Sequence, residues 1–442
     1  MSENTNRAGV SATLVGCVVA LFFAWGFSTV LIDTLLPKLK GLFQLDYTEA
    51  MLTQFAFFMA YFVFSLPAGY LLSRVGYMRA IVIGLGIMIT GCLLFAPAAS
   101  QGVYWTFLGA LFVMAAGITI LQVAANPLIA LLGTPETSSS RLVLAQALNS
   151  FGTFIGPFVG ASLILQNGIA VPDNILKAAP DVLMAYRVHE AHVTQVPFLG
   201  IAMLMMVLAV IFFLLRHAPG IPASEQSKHT KSSLELLRQN RLLFGTLCIF
   251  VYVGVEVSIG GLMVSYLLQS KALGATLAVG GALAHLLTPG ANMLPAVLAG
   301  WLVSFYWGGA MVGRFIGSAV LRVRRAGSVL AVCATGALIL AGLSAASMGM
   351  VSIITIIAIG LCNSIMFPTI FTLAIDGLKE NTPKASGLLC MAIVGGAVVP
   401  VITGAVADAA GLSVALVVPM LGYAAIAIYG LLTNGRFAAP TT

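Results

Sequence analysis

Long, uninterrupted apolar segments are the feature that most constrains how this chain folds. About 20 consecutive apolar residues cross the hydrocarbon core of a bilayer as one helix. Of the 442 residues, 60% are hydrophobic and only 8% are charged, against about 25% charged in soluble domains. One soluble core cannot bury so much apolar surface, which excludes soluble enzymes, nucleic-acid-binding proteins and disordered tails. Strands of an outer-membrane barrel alternate apolar and polar residues, whereas these segments are continuously apolar.

Twelve membrane-spanning helices are predicted, which assigns the chain to the all-α polytopic membrane proteins. The first apolar segment is too long for the core of a signal peptide and is expected to be retained as a span. Residues 217–241 are polar and charged, and we interpret them as a cytoplasmic linker between two six-helix bundles, residues 1–216 and 242–442. The predicted spans are residues 11–36, 47–73, 78–97, 103–131, 141–166, 196–215, 243–270, 296–321, 328–347, 350–377, 384–408 and 413–433.

Lysine and arginine residues predict the orientation, because they are retained on the cytoplasmic side of a membrane. With a cytoplasmic N-terminus, 15 of them fall inside, 5 fall outside and Arg314 lies within a span. Both termini are therefore expected in the cytoplasm, with the protein in the inner membrane. The net charge of +7 reflects this bias and does not indicate a nucleic-acid partner. The long outer loops are predicted at 166–196 and at 271–295, where the second lies on the membrane surface or caps the outer opening.

The two halves of the chain repeat three short motifs in the same order. Two six-helix repeats are typical of alternating-access transporters of the major facilitator type. The matching pairs are Gly69-x4-Arg74 with Gly317-x4-Arg322, Gln122-x4-Pro127 with Asn363-x4-Pro368, and Gly152-x4-Pro157 with Gly395-x4-Pro400.

Polar side chains within apolar spans are costly and usually face a cavity. Amides both donate and accept hydrogen bonds, which suits the paired hydroxyls of a sugar. Four amides are predicted to bind substrate: Gln122, Gln146, Asn149 and Asn363. A charged substrate would require several inward-facing basic residues, so the predicted cargo is neutral and polyhydroxylic. The basic residues Arg74, Arg79, Arg314 and Arg322 are predicted instead to hold cytoplasmic helix ends together as a structural gate.

Asp33 and Glu256 are the predicted cation-coupling residues, one deep in each half of the chain. A buried carboxylate can bind and release a proton. With Ser28, Thr29 and backbone carbonyls nearby, Asp33 could instead ligate Na⁺, so H⁺ and Na⁺ both stay open. No cofactor and no resident metal site are expected. The five histidines lie in loops, which argues against a membrane-embedded enzyme.

Several stretches resemble the bacterial glucose/galactose transporters of the fucose–galactose–glucose:cation symporter family, within the major facilitator superfamily. The similarity covers nearly every span in order and is weak only in the outer loops and the linker. It rests on FFAWGFSTVLIDTLLPKLKGLFQLDYTEAMLTQFAFFMAYF, LQVAANPLIALLG, LAQALNSFGT, FVYVGVEVSIG, FYWGGAMVGRF, NSIMFPTIFTLAI and KASGLLCMAIVGGAVVP.

This resemblance implies the major facilitator fold and cation-coupled symport of a hexose such as glucose or galactose, by a monomer in the lipid bilayer. It places the first coupling carboxylate of the fucose branch on Asp33 and the second on Gln122, which cannot ionise. The family's sugar-binding amides fall on Gln146 and Asn149. A fucose-branch asparagine falls on Val30, which favours glucose or galactose over fucose. A symporter of L-fucose or another sugar, and an efflux antiporter of the same fold, are the alternatives.

Overall fold

The computed structural model describes residues 12–43, 47–101, 103–164, 179–217, 233–269 and 295–434. Within these ranges every long element is an α-helix, and no β-strand is formed. Ten of the helical segments are long and apolar enough to cross a membrane. The architecture is therefore helical and membrane-spanning, as the apolar segments predict.

The helices follow the predicted spans in order. We number them α1 (Ala12–Phe43), α2 (Tyr47–Val75), α3 (Tyr77–Gln101), α4 (Tyr104–Leu131), α5 (Ser138–Ile164), α6 (Pro180–Leu214), α7 (Asn240–Gln269), α8 (Pro295–Val320), α9 (Ala326–Ala346), α10 (Met350–Asn363), α11 (Met366–Ile375), α12 (Thr382–Met391), α13 (Gly395–Ala410) and α14 (Val417–Asn434). Helices α5 and α8, of 27 and 26 residues, match the two predicted spans that are not among the ten candidates. Short helices occur at Ser233–Leu236 and Leu412–Ala415.

One predicted loop is partly helical. Helix α6 begins at Pro180, well before the predicted start of its span at residue 196. A proline suits the first position of a helix, where its missing N–H costs nothing. The negative charge of Asp181 in the first turn is stabilised by the positive end of the helix dipole. The polar residues of this segment therefore extend a helix beyond its apolar part. Residues 271–294 of the second predicted outer loop, 271–295, lie outside the described residues, and Pro295 begins α8.

Two predicted spans each consist of two helices. The tenth is divided between α10 and α11 at Ser364 and Ile365. Pro368 has no N–H to donate to the carbonyl four residues earlier, at Ser364, and its ring crowds that carbonyl. The eleventh is divided between α12 and α13 by a short 3₁₀ turn, Ala392–Val394.

The helices form two compact units, and two segments belong to a different unit from their neighbours in sequence. The first unit contains Met1–Pro135, Leu148–Ser233 and Leu378–Met391. The second contains Glu136–Ala147, Leu234–Gly377 and Ala392–Thr442. The start of α5 thus packs within the second unit, and α12 packs within the first. The sequence-based boundaries of the two bundles at 216 and 242 stay a prediction.

In lipid, apolar side chains gain little free energy by moving from lipid to protein, so helices associate mainly through close packing. Glycine permits that close packing because it lets two backbones touch. At Gly395, the first residue of α13, an added Cβ would overlap the carbonyl of Phe250 in α7. At Gly360 in α10, an added Cβ would overlap the carbonyl of Tyr306 in α8. The first contact packs α13 against α7, and the second packs α8 against the broken tenth span.

We expect Gly395→Ala to lower the free energy of unfolding by about 1–3 kcal/mol, the usual cost of overpacking, because backbone must move to admit the methyl group. The measurement is denaturant or thermal unfolding of the purified protein in detergent. Gly404→Ala, on the same helix with no atom within 4 Å of the added Cβ, is the control and should be at least as stable as the unchanged protein, because alanine favours a helix over glycine. Equal stability of the two variants would contradict the close contact.

Candidate functional site

In the first unit, Gln122 is held by a buried tyrosine. Its side-chain amide on α4 donates a hydrogen bond of 2.6 Å to the hydroxyl of Tyr61 on α2. Tyr61 is only 2% exposed, whereas Gln122 is half-buried. The tyrosine fixes the orientation of the amide, so its remaining donor and acceptor positions have a defined direction.

Asn149 is held in the same unit by a backbone carbonyl. Its amide on α5 donates a hydrogen bond of 2.9 Å to the carbonyl of Phe22 on α1. Gly26 makes this approach possible, since an added Cβ would overlap Asn149. An added Cβ at Gly152, one turn further along α5, would likewise overlap the carbonyl of Phe23. Glycines therefore set the separation of α1 and α5 at which an asparagine can reach the neighbouring backbone.

The other predicted residues of the first half are placed less completely. Gln146 is buried on α5, one turn before Asn149, and belongs to the segment that packs within the second unit. Asp33 lies in α1, outside the residues whose side chains the structure describes. Its predicted role in coupling stays a prediction.

The second unit contains a larger polar cluster around the end of α10. Asn363 is fully buried, and its amide donates a 2.8 Å hydrogen bond to the Tyr306 hydroxyl on α8. The Tyr252 hydroxyl on α7 lies 2.8 Å from Glu256 Oε1 and 3.0 Å from the Asn363 backbone carbonyl. The Tyr423 hydroxyl on α14 faces Asn363, but neither it nor Asn363 Oδ1 forms a hydrogen bond of normal geometry. Two predicted site residues, Glu256 and Asn363, are thus linked through Tyr252.

Arg314 completes this cluster from α8. Its Nε donates a 3.1 Å hydrogen bond to the carbonyl of Ser364, the carbonyl that Pro368 leaves without its helical donor. The guanidinium also acts electrostatically on Glu256. Arg314 therefore lies at the broken tenth span and not at a helix end.

The other predicted gate arginines lie near helix ends. Arg74, close to the end of α2, is exposed and its guanidinium lies 4.8 Å from the centre of the Tyr70 ring. Arg79 and Arg322 are also exposed. These positions suit contacts with water or lipid headgroups, and their predicted role as a gate stays a prediction.

Small polar residues connect segments that are distant in sequence. In the first unit, Ser386 on α12 donates a 2.7 Å hydrogen bond to the carbonyl of Val123 on α4. In the second, the Ser140 and Ser318 side chains each donate to the other's backbone carbonyl, at 2.7 and 3.0 Å. These contacts join residues of the first sequence half to residues of the second.

Comparison with known proteins assigns the family. The model of the major facilitator superfamily matches residues 14–393. The chain belongs to this superfamily. It is 47% identical over 412 residues to a glucose/galactose transporter of Brucella abortus, covering 93% of this chain and 92% of that one.

More distant relatives carry the same fold. The chain is 33% identical to the L-fucose-proton symporter of Escherichia coli, covering 93% of this chain and 90% of that one. A crystal structure of the E. coli fucose:proton symporter FucP matches with a TM-score of 0.83 at 31% identity, covering 97% of this chain and 99% of that chain. A second structure of FucP, in the outward conformation, matches with a TM-score of 0.82. This major facilitator protein thus has the twelve-helix fold predicted from its sequence and is a transporter, not an enzyme.

Three tyrosines hold predicted site residues in place, a role that sequence reasoning did not assign to them. Tyr61, Tyr252 and Tyr306 each bond to a predicted site residue. A buried tyrosine needs a partner for its hydroxyl, so each tyrosine within an apolar span is itself a signal. The spacing of Tyr252 and Glu256, one helical turn apart, places them on one face and could have identified that pair.

We expect Tyr306→Phe to lower the free energy of unfolding by about 1–3 kcal/mol, the cost of leaving a buried donor unsatisfied, because the Asn363 amide loses its acceptor. Equilibrium unfolding in detergent measures the change. Tyr70→Phe, at a residue that is 55% exposed, is the control and should have little effect. A Tyr306→Phe variant as stable as the control would show that the bond contributes nothing.

Proposed function

We propose that the chain is a secondary active transporter that moves a neutral hexose such as glucose or galactose together with a cation, by alternating access. The observation that carries this proposal is the set of anchored amides. Gln122 and Asn149 are each fixed at one end by a hydrogen bond, and both are half-buried. Fixing a polar group before the ligand arrives lowers the entropy lost on binding.

The choice of sugar rests on the relatives and on two positions. The Brucella abortus protein is a glucose/galactose transporter at 47% identity, and the Escherichia coli protein is a fucose symporter at 33%. Val30 and Gln122 depart from the fucose pattern that the resemblance implies. We infer that D-glucose or D-galactose is preferred to L-fucose, with Gln122, Gln146, Asn149 and Asn363 as the binding amides.

For the coupling cation we infer H⁺, bound by Asp33 and Glu256. The surroundings of Glu256 support the proton over Na⁺. The Glu256 carboxylate lies beside the Tyr252 hydroxyl and near the Arg314 guanidinium. The guanidinium charge disfavours every cation at Glu256, but a proton needs only one carboxylate oxygen, whereas Na⁺ needs several oxygen ligands around it.

We further propose that the serine contacts close the cytoplasmic end of the transport path in one state. Ser140, Ser318 and Ser386 lie near helix ends assigned to the cytoplasm by the basic residues, and Ser386 reaches the Val123 carbonyl about two turns inside α4. Short neutral hydrogen bonds can break and form again at low cost, which a gate requires. The exposed arginines Arg74, Arg79 and Arg322 mark the same cytoplasmic side. Arg314 stabilises the junction of α10 and α11 through the Ser364 carbonyl.

The remaining assignments follow from this model of transport. We propose that the chain lies in the bacterial inner membrane with both termini in the cytoplasm and works as a monomer. Its bundles then correspond to residues 1–216 and 242–442, joined by the linker at 217–241.

The test of function is uptake by the purified protein in sealed vesicles without ATP. We expect labelled D-glucose or D-galactose to accumulate when the outside is more acidic, and accumulation to disappear with a protonophore. An inward Na⁺ gradient at fixed pH should not replace the proton gradient. L-fucose should compete weakly. Strongest competition by L-fucose would overturn the sugar assignment. Export of sugar driven by an inward proton gradient would establish the antiporter instead.

Gln146→Ala tests the binding amides. We expect sugar binding to weaken by about 1–3 kcal/mol, because a polar partner of the sugar is lost. The measurement is isothermal titration or a competition assay with the purified protein. Gln54→Ala is the control, since Gln54 is a half-buried amide on α2 outside the proposed set. Unchanged affinity in the Gln146 variant would remove that residue from the site.

A further inference from the structure

The Tyr252 hydroxyl has one proton and faces two acceptors. It lies 2.8 Å from Glu256 Oε1 and 3.0 Å from the carbonyl oxygen of Asn363. A phenol donates one hydrogen bond and accepts others. Tyr252 is 1% exposed, so bulk water does not supply the missing donor. Only one of the two acceptors can receive its proton at a time.

The protonation state of Glu256 decides which acceptor receives it. An ionised carboxylate is the stronger acceptor, because hydrogen bonds to charged groups are about twice as strong as neutral ones. The Tyr252 proton then points to Glu256, and the Asn363 carbonyl loses this donor. A protonated Glu256 can donate its own O–H to the Tyr252 oxygen. The Tyr252 proton is then available to the Asn363 carbonyl.

The Asn363 carbonyl lies where the tenth span is broken. Helix α10 ends at Asn363, and α11 begins at Met366. The same residue carries the amide that bonds to Tyr306, and the next carbonyl, of Ser364, is held by Arg314. A buried carbonyl that loses its donor costs free energy until another donor replaces it. A shift of this peptide would therefore change the direction of the Asn363 amide.

The other groups around Glu256 do not duplicate this role. Arg314 and Tyr306 act on it from α8, and Tyr423 acts from α14. Helix α11 contributes no titratable residue in its sequence. Helix α13 carries Asp408, which is exposed and lies nine residues beyond Val399, the residue that packs against Gly254 of α7. Tyr252 is the group among these that bonds to both Glu256 and the Asn363 backbone.

We propose that Tyr252 is a positioning residue that transmits the protonation of Glu256 to the sugar-binding amide of Asn363. The proposal rests on the proposed function, since it assumes that Asn363 contacts the sugar. It gives proton and sugar a direct link: the proton on Glu256 favours one arrangement of the α10–α11 junction, and the sugar selects the same arrangement. By linkage, sugar then raises the affinity for the proton by the same factor.

The experiment measures the sugar dissociation constant of the full-length protein in detergent as a function of pH. Galactose and glucose are the ligands. The unchanged protein should bind at least about fivefold more tightly at acid than at alkaline pH, the lower end of ordinary coupling. Tyr252→Phe should lose most of this dependence, because phenylalanine cannot pass on the change. Glu256→Gln should lose it to the same extent and keep the acid-form affinity, since the glutamine amide can donate to Tyr252.

Combining the two substitutions should reduce the pH dependence no further than either alone, because both interrupt one connection. Tyr266→Phe is the matched control: Tyr266 is also buried on α7 and donates to a backbone carbonyl, that of Ser344, at 2.6 Å. It should keep the pH profile of the unchanged protein. If Tyr252→Phe is poorly folded, a Glu256→Gln variant that keeps the pH profile still overturns the proposal.

The outcomes separate this inference from the proposed function. Absence of sugar binding by the unchanged protein at every pH contradicts the function itself. Sugar binding whose pH profile survives Tyr252→Phe or Glu256→Gln overturns the role of Tyr252 and leaves the function standing. Sugar affinity that responds to Na⁺ and not to pH also overturns the role of Tyr252.

Discussion

The interruption of the tenth span is the constraint on which the rest of the second unit depends. In lipid, a backbone carbonyl without a donor costs several kcal/mol, so a broken helix requires polar side chains from its neighbours. Pro368 removes the helical donor of the Ser364 carbonyl, and Arg314 replaces it. Tyr252 donates toward the carbonyl one residue earlier. The charged and phenolic groups of the cluster are thus explained first by the backbone, and their position beside Asn363 follows from that.

Close contact between helices is the second requirement, because side chains of tyrosine length can reach a neighbouring backbone only over a short distance. Gly360 brings α10 against the backbone of α8 at Tyr306, and Gly26 does the same for α1 and α5 at Asn149. In both places the glycine lies next to a hydrogen bond made by an amide, Asn363 to Tyr306 and Asn149 to Phe22. The glycines of these spans therefore set the short helix separation that the amide hydrogen bonds require.

The sequence predicts the helices well and their interruptions poorly. Apolar length is a strong local signal, so every predicted span overlaps a helix. The start of α6 at Pro180 was missed, since hydropathy reports burial in lipid and not helix formation outside it. Amides and carboxylates such as Asn363 and Glu256 stand out in an apolar segment. Tyr61 also needs a partner for its hydroxyl, but that partner lies on another helix, and the sequence does not show which helices pack together.

The difference between the two units bears on where a proton can act. The resemblance implies a carboxylate at the position of Gln122, and an amide there cannot change its charge. The Tyr61–Gln122 hydrogen bond is therefore the same at every physiological pH and can orient a sugar without responding to a proton. The Tyr252–Glu256 pair has the same elements, a buried tyrosine and a polar partner on a span, but its partner can ionise. On the proposed function, the amide of Gln122 gives the first unit a contact that does not respond to a proton, whereas the carboxylate of Glu256 in the second unit can respond.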